Sequence, residues 1–116
     1  FKLDLIDDIL ASKEMYVGRY YFERKKWIPA INRFRTVTDK YETTIYAEEA
    51  LHRLVEVYYI LGLVDESKKY ANLLGYNYQS SEWYKKSYKV FNEKYQIDIN
   101  KKKKKGVIKK FKKLFD

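Results

Sequence analysis

Few side chains in this 116-residue chain are of a type that could do covalent or acid-base chemistry. His52 is its only histidine, and there is no cysteine, so thiol nucleophiles, thiolate metal sites and disulfides are excluded. A catalytic or metal-bound histidine needs companions at suitable spacing, and His52 has none in the sequence. Its place beside Leu51 suggests a structural or solvent-edge histidine. The acidic pairs Asp7-Asp8, Glu48-Glu49 and Asp65-Glu66 could be read as catalytic carboxylates. Two of them fall at expected helix starts, where a carboxylate compensates the positive end of the helix dipole. No glycine-rich phosphate loop and no nucleophile-base pair is present. The chemistry therefore points away from an enzyme, and no cofactor or metal is expected.

The elements that would carry these residues are helices. Four glycines and one proline are too few for the many tight turns of a sandwich or barrel. Leu3, Ile6, Ile9, Leu10, Val17, Tyr20 and Tyr21 approach three-and-four spacing, which predicts a long first helix ending at Lys25-Lys26. A second starts near Trp27, where Pro29 is tolerated in the first turn, with Ile28, Ile31, Phe34, Val37 and Tyr41 inward. Glu42-Thr43-Thr44 is a polar break with a threonine cap. A third helix follows with Leu51, Leu54, Val55, Tyr58 and Leu61 inward, stopped by Gly62. A fourth begins at Asp65-Glu66 and carries Tyr70, Leu73 and Leu74, and Gly75 is expected to loosen its end. Ser80-Ser81 caps a fifth, with Trp83, Tyr84, Ser87, Tyr88, Phe91 and Tyr95 inward.

Two segments repeat each other at an offset of 37 residues: Val17 matches Leu54, Tyr21 matches Tyr58, and Ala30 matches Ser67. This is the 34-residue tetratricopeptide pattern with a three-residue insertion. Small residues at fixed positions let two antiparallel helices approach closely, and larger ones fill the grooves between repeats. The expected architecture is an all-α solenoid in residues 1–95, with repeats at about 11–44 and 48–81 and a capping helix at about 81–95. Glu42 and Gln79 stand where such repeats usually carry proline.

Hydrophobic residues make up 46% and charged residues 35%, as in a folded helical protein, and the formal charge is +9. Nine lysines and Asp116 give residues 101–116 a net +8, which leaves residues 1–100 at +1. The body thus lacks the basic balance of a phosphate-tracking domain. After a linker at 96–105, Val107, Ile108, Phe111, Leu114 and Phe115 alternate with lysines as a short basic amphipathic helix at 106–115. Through Lys109, Lys110, Phe111, Lys112 and Lys113 it could lie on an anionic membrane or dock in an acidic groove, with nucleic acid the less favoured partner. A frayed, solvated tail remains open. No run of 18 apolar residues occurs, and a chain starting at Phe1 without a signal peptide or acceptor cysteine reads as a mature or excised segment.

Several strings are more specific than a generic repeat: Tyr16-Val17-Gly18-Arg19-Tyr20-Tyr21, Ala30-Ile31-Asn32-Arg33-Phe34, Glu49-Ala50-Leu51-His52-Arg53-Leu54-Val55-Glu56, Leu61-Gly62-Leu63 and Ser81-Glu82-Trp83-Tyr84. Together, over residues 1 to about 90, they resemble the C-terminal half of the BamD family, outer-membrane lipoproteins of the β-barrel assembly machinery. The resemblance implies a non-catalytic repeat scaffold at the periplasmic face of the Gram-negative outer membrane, with its lipid anchor outside this segment. It also implies docking of the C-terminal repeats on the barrel-forming subunit and on accessory lipoproteins. Asn32-Arg33 matches an Asn-Arg pair whose arginine lies at the contact with the barrel-forming subunit. A guanidinium fork there could grip a carboxylate by two bonds. From spacing alone, Arg33 reads more readily as a solvated helix residue. Most of the thirteen tyrosines fall on inward stripes, and Tyr46, Tyr59 and Tyr76, which leave them, are candidate aromatic contacts.

Overall fold

The computed structural model describes residues 2–78 and 81–91. They form five helices: α1 Lys2–Glu23, α2 Trp27–Lys40, α3 Ala47–Ile60, α4 Val64–Asn77 and α5 Glu82–Phe91. Neighbours in sequence pack on one another, α1 on α2, α2 on α3 and α3 on α4, and α5 closes the stack against α3 and α4. This is an all-α tetratricopeptide-type arrangement.

Helix ends follow from local chemistry. The last turn of α3 closes with Leu63 N–H donating to Tyr58 O (2.9 Å) and Gly62 N–H donating to Tyr59 O (3.0 Å), with Gly62 at φ +79. That pair of bonds needs a left-handed residue, which glycine supplies without a Cβ clash. The end of α1 repeats the same motif 37 residues earlier. Lys26 N–H donates to Tyr21 O (2.9 Å) and Lys25 N–H to Phe22 O (3.0 Å), but here the left-handed position, φ 59, is held by Lys25. Pro29 lies in the first turn of α2, and the helical ladder begins beyond it, with Ala30 N–H donating to Lys26 O. Ser81 caps α5 as expected: its Oγ accepts from the N–H groups of Trp83 (3.0 Å) and Tyr84 (3.2 Å).

Thr44 does not cap α3. The residue before that helix is Tyr46, without a side-chain cap, and Thr44 is buried with its hydroxyl donating to Tyr41 O at 2.7 Å. It closes the turn after α2 instead. Gly75 does not loosen α4, which runs on to Asn77. Its missing Cβ is needed by the Tyr84 ring, which would stand 2.5 Å from a methyl placed there.

The core is Met15, Ala30, Phe34, Val37, Leu54, Val55, Val57 and Leu74, with alanines where backbones come close. α3 contributes on several sides, burying Ala47, Ala50, Leu51, His52, Leu54, Val55 and Val57, because α2, α4 and α5 surround it. Gly18 on α1 receives the ring of Phe34. Ser67, wholly buried on α4, donates to Val55 O at 2.6 Å and so fixes the α3–α4 approach.

The inward stripes need correction. On α1 the buried residues are Ala11, Met15 and Gly18, whereas Ile6, Ile9, Leu10 and Tyr20 are exposed. At 22 residues α1 outruns the 14-residue α2, so its N-terminal turns have no neighbour among the described residues, and Leu5, Ile6, Ile9, Tyr16 and Tyr20 share its other side. Ile28, Leu61, Leu73 and Tyr88 are likewise exposed, each near a helix end or on a groove flank. The side chain of Leu3, Ser80, Tyr95, the 96–105 linker and the 106–115 helix lie outside the described residues.

Two expectations follow. Gly18→Ala gains about 0.5–1 kcal/mol of helix propensity but drives a methyl into a ring that cannot move, an overpacking cost of about 1–3 kcal/mol. The urea midpoint should fall, and Gly75→Ala should be milder because the half-buried Tyr84 ring can turn aside. Lys25→Gly should raise stability by about 0.5–1 kcal/mol by relieving the left-handed backbone, seen as a higher midpoint at unchanged slope.

Candidate functional site

Among the described residues, the largest polar constellation runs along α3, from Arg19 of α1 on one side to Ser87 of α5 on the other. Arg19 on α1 donates through Nε to Glu49 Oε2 at 2.8 Å and through Nη2 to Oε1 at 3.4 Å, a two-armed grip across 30 residues of sequence. Glu49 is also 3.7 Å from Arg53 Nε, and Arg53 Nη1 is 3.7 Å from Glu56 Oε1. Glu56 meets His52 Nε2 at 2.5 Å, and His52 Nδ1 meets Ser87 Oγ on α5 at 2.7 Å. The imidazole lies on the Trp83 ring, centroids 5.3 Å apart, and the Arg53 guanidinium sits over Phe22 at 5.2 Å.

A histidine between a carboxylate and a serine hydroxyl has the composition of a hydrolytic triad, but the geometry argues against that use. His52 and Ser87 are both buried, the latter completely. A nucleophile must reach its substrate, and this hydroxyl is enclosed between two packed helices. The arrangement instead satisfies buried polar groups and fixes α5 on α3. His52 is thus a structural residue. Among the described residues no cluster of three or more His, Asp or Glu is placed to hold a metal.

Burial raises the Glu56 pKa, but the His52 hydrogen bond and charge, followed by Arg53 and Lys86, outweigh it and hold the carboxyl below its ordinary value of 4.5. A carboxyl depressed in the fold contributes stability that is present above its unfolded pKa and is lost as pH falls through the folded one.

A second feature is a groove of about 170 Å³ at the N-terminal end of α3, between the end of α2 and α4. Leu51 and Leu73 line it with Tyr70, and Asp39, Glu42 and Tyr78 stand around it. Tyr78 OH donates to Glu42 O at 3.3 Å. Burial and then the nearby Glu48 and Glu42 carboxylates push its phenol up, so it remains a neutral donor.

The residues expected to meet partners do not form one surface. Asn32 is exposed on α2. Arg33 is turned toward α1, where its Nη1 lies 3.1 Å from Glu14 Oε2, and the side chain keeps 44% exposure. Tyr46 is half-buried at the start of α3 and packs on the core, and Tyr59 lies at the far end of the same helix against Phe91, centroids 5.7 Å apart. Tyr76, 90% exposed, projects from the end of α4. Lys109, Lys110, Phe111, Lys112 and Lys113 lie outside the described residues.

This seam was missed in the sequence, although a signal for part of it was present. His52 and Glu56, like Glu49 and Arg53, are four apart on one helix. Nothing in the sequence pairs Arg19 with Glu49 or His52 with Ser87, which the packing alone brings together.

A family model described as "Outer membrane lipoprotein", YfiO, matches residues 1–74. The chain belongs to the YfiO/BamD family. It is 54% identical over 89 residues to the outer membrane protein assembly factor BamD of Rickettsia prowazekii, covering 77% of this chain and 36% of that protein. It is 41% identical over 92 residues to BamD of Caulobacter vibrioides, covering 79% and 30%. A third relative, BamD of Neisseria meningitidis, is 42% identical over 55 residues, covering 47% and 21%. The chain therefore spans about a third of the length of the first two family members. No solved structure matches it. No described helix is long and apolar enough to cross a membrane.

If the seam holds α5 in place, Glu56→Gln should lower the urea midpoint at pH 7 and flatten the loss of stability on acidification below about pH 4.5, because the group that titrates there is gone. Denaturation series between pH 3 and 7 would show whether the acid limbs of wild type and variant differ.

Proposed function

We propose that this chain is a non-catalytic docking module in outer-membrane β-barrel assembly, acting at the periplasmic face of the outer membrane and binding the barrel-forming subunit and accessory lipoproteins. The observation that carries the reading is the similarity to assembly factors of the BamD family over more than three quarters of the chain. The repeat fold suits it, since stacked helix pairs present continuous side-chain surfaces.

Arg33 is the contact we assign first, with Asn32 beside it. The link to Glu14 engages only Nη1, so the outer part of the guanidinium fork can take a carboxylate of the partner. Glu14 then holds the fork in place before binding and lowers the entropy lost on docking. Tyr76, well exposed, is a second candidate contact, and Tyr59 and Tyr46 are weaker ones because part of each ring is covered.

Arg33→Glu should weaken binding to the periplasmic domains of the barrel-forming subunit by about tenfold or more, as expected for reversing one member of an interfacial charge pair. Its fold should survive, since an exposed ion pair such as Glu14–Arg33 contributes about 0–1 kcal/mol. Glu14→Gln, which frees Arg33 without removing it, should cost much less affinity. Equal binding by wild type and Arg33→Glu in calorimetry, with unchanged circular dichroism, would remove Arg33 from the interface.

A further inference from the structure

The groove between the end of α2 and α4 has no part in the polar seam or in the contact assigned to Arg33. Arg33 leans toward α1, whereas the groove opens on the α4 side of α2. Leu51 and Leu73 give it an apolar lining, and Tyr70 and Tyr78 add aromatic rings. At about 170 Å³ it admits one long side chain and no folded element.

Its charge is one-sided. Asp39 and Glu42 line it, no cationic side chain does, and neither carboxylate has an ion-pair partner among the described residues. Glu14, Glu49 and Glu56, by contrast, are each paired. Glu48, in the first turn of α3, adds to the field: after burial, it and Glu42 are what raise the Tyr78 phenol. The backbone acts in the same sense. α2 ends at Lys40 and α4 at Asn77, so two negative dipole ends meet here against the one positive end of α3.

Basic side chains do stand on the flanking helices. Lys40 is exposed at the end of α2, the Arg35 charge acts on Tyr58, and Lys69 holds its Nζ 5.8 Å from the Tyr70 ring, with Lys68 exposed beside it. Tyr70 is stacked on Tyr58 and lies two helical turns before Tyr78, so Arg35, Lys68 and Lys69 serve the other end of the groove. At the Tyr78 end, Lys40 alone opposes Asp39, Glu42 and Glu48.

We propose that this groove receives a lysine or arginine side chain from an extended segment of another protein, its aliphatic stem on Leu51 and Leu73 and its charged head between Asp39 and Glu42. A long cationic side chain is the ligand that uses both parts of the lining, because its stem covers apolar surface while its head keeps polar partners. The phosphates of an anionic membrane or a nucleic acid would meet the same carboxylates and be repelled. The groove and Arg33 lie on different sides of α2 and carry opposite charge, so a partner that spans both presents a carboxylate to one and a cation to the other. The inference stands without the docking role of Arg33.

The peptide acetyl-Gly-Lys-Gly-amide, titrated into the isotope-labelled full chain at low ionic strength, should give saturable shifts of the Ala47 and Asn77 amide resonances, which flank the groove. With diaminopropionate in place of lysine, three methylenes shorter, binding should weaken by about tenfold or more because the apolar lining stays uncovered. Asp39→Asn/Glu42→Gln should weaken the lysine peptide by about fivefold or more, as expected on removing the charges that hold its head. Neither change endangers the fold, since both side chains are exposed and the Tyr78 hydroxyl bonds to the Glu42 backbone. Arg33→Glu should leave this binding unchanged. Equal binding of the shorter peptide would reduce the groove to a non-specific acidic patch, and equal binding by the double variant would remove the carboxylates from it. Saturable shifts that appear only when Lys101–Lys105 are replaced by glutamine would make this chain's own lysines the occupant. Each of these results would overturn the proposal.

Discussion

Close approach through missing side-chain atoms sets the geometry of this stack. Phe34 lies where Gly18 has no Cβ, Tyr84 where Gly75 has none, and the single-carbon side chain of Ser67 brings α4 near enough to donate to the Val55 carbonyl. Each of these contacts joins a different pair of helices: α1 to α2, α4 to α5 and α3 to α4. A larger residue at Gly18 or Ser67, both against wholly buried surroundings, would push the axes apart, and tightly packed interiors transmit such a change rather than absorb it, whereas at Gly75 the half-buried Tyr84 ring can give way. The large side chains, Met15, Leu54 and Leu74 among them, then fill the space that the small positions define.

Apolar packing alone leaves a question of register, because hydrophobic stripes tolerate sliding. The seam from Arg19 through Glu49, Arg53, Glu56 and His52 to Ser87 restricts it. A two-armed Arg–carboxylate contact and two short bonds to one imidazole tolerate little displacement. Burying His52 and Ser87 is costly unless their partners are in place, so this end of the network favours one arrangement of α3 and α5, while the Arg19–Glu49 contact ties α1 to α3. Arg53 Nε, buried and without a hydrogen bond, shows where geometry was compromised: it retains Glu49 as an ion pair at 3.7 Å and the Phe22 ring below its guanidinium.

What the sequence made readable was local. Gly62 announces a left-handed helix end, Ser81 announces a cap, and the 37-residue offset pairs Ala30 with Ser67, both wholly buried. Even the α1 and α3 termini obey that offset, Lys25 standing where Gly62 does, although the lysine concealed the motif. What was not readable depends on which neighbour a helix has. The α1 stripe was misjudged because its apolar residues outnumber those that one partner can cover, so periodicity could not tell the α2 side from the other. Thr44 looked like a cap because threonine accepts from helix amides, whereas its hydroxyl closes the preceding turn. Gly75 looked like a breaker because the ring that occupies its space belongs to another helix.

The candidate site was less legible than the fold for a related reason. A partner-binding arginine is defined by what it reaches, and in this chain Arg33 first reaches Glu14. That pairing is compatible with docking rather than opposed to it. An exposed guanidinium loses conformational freedom when it binds, a cost of roughly 2 kcal/mol of side-chain entropy for a fully mobile arginine. One bond to a neighbouring carboxylate removes part of that freedom in the unbound protein, at little cost, and leaves donors facing outward. The α1–α2 hairpin thereby presents Arg33 from a rigid support, because Gly18 and Phe34 lock the same two helices one turn away. The packing that determines the fold thus also determines where Arg33, the contact proposed for docking, stands.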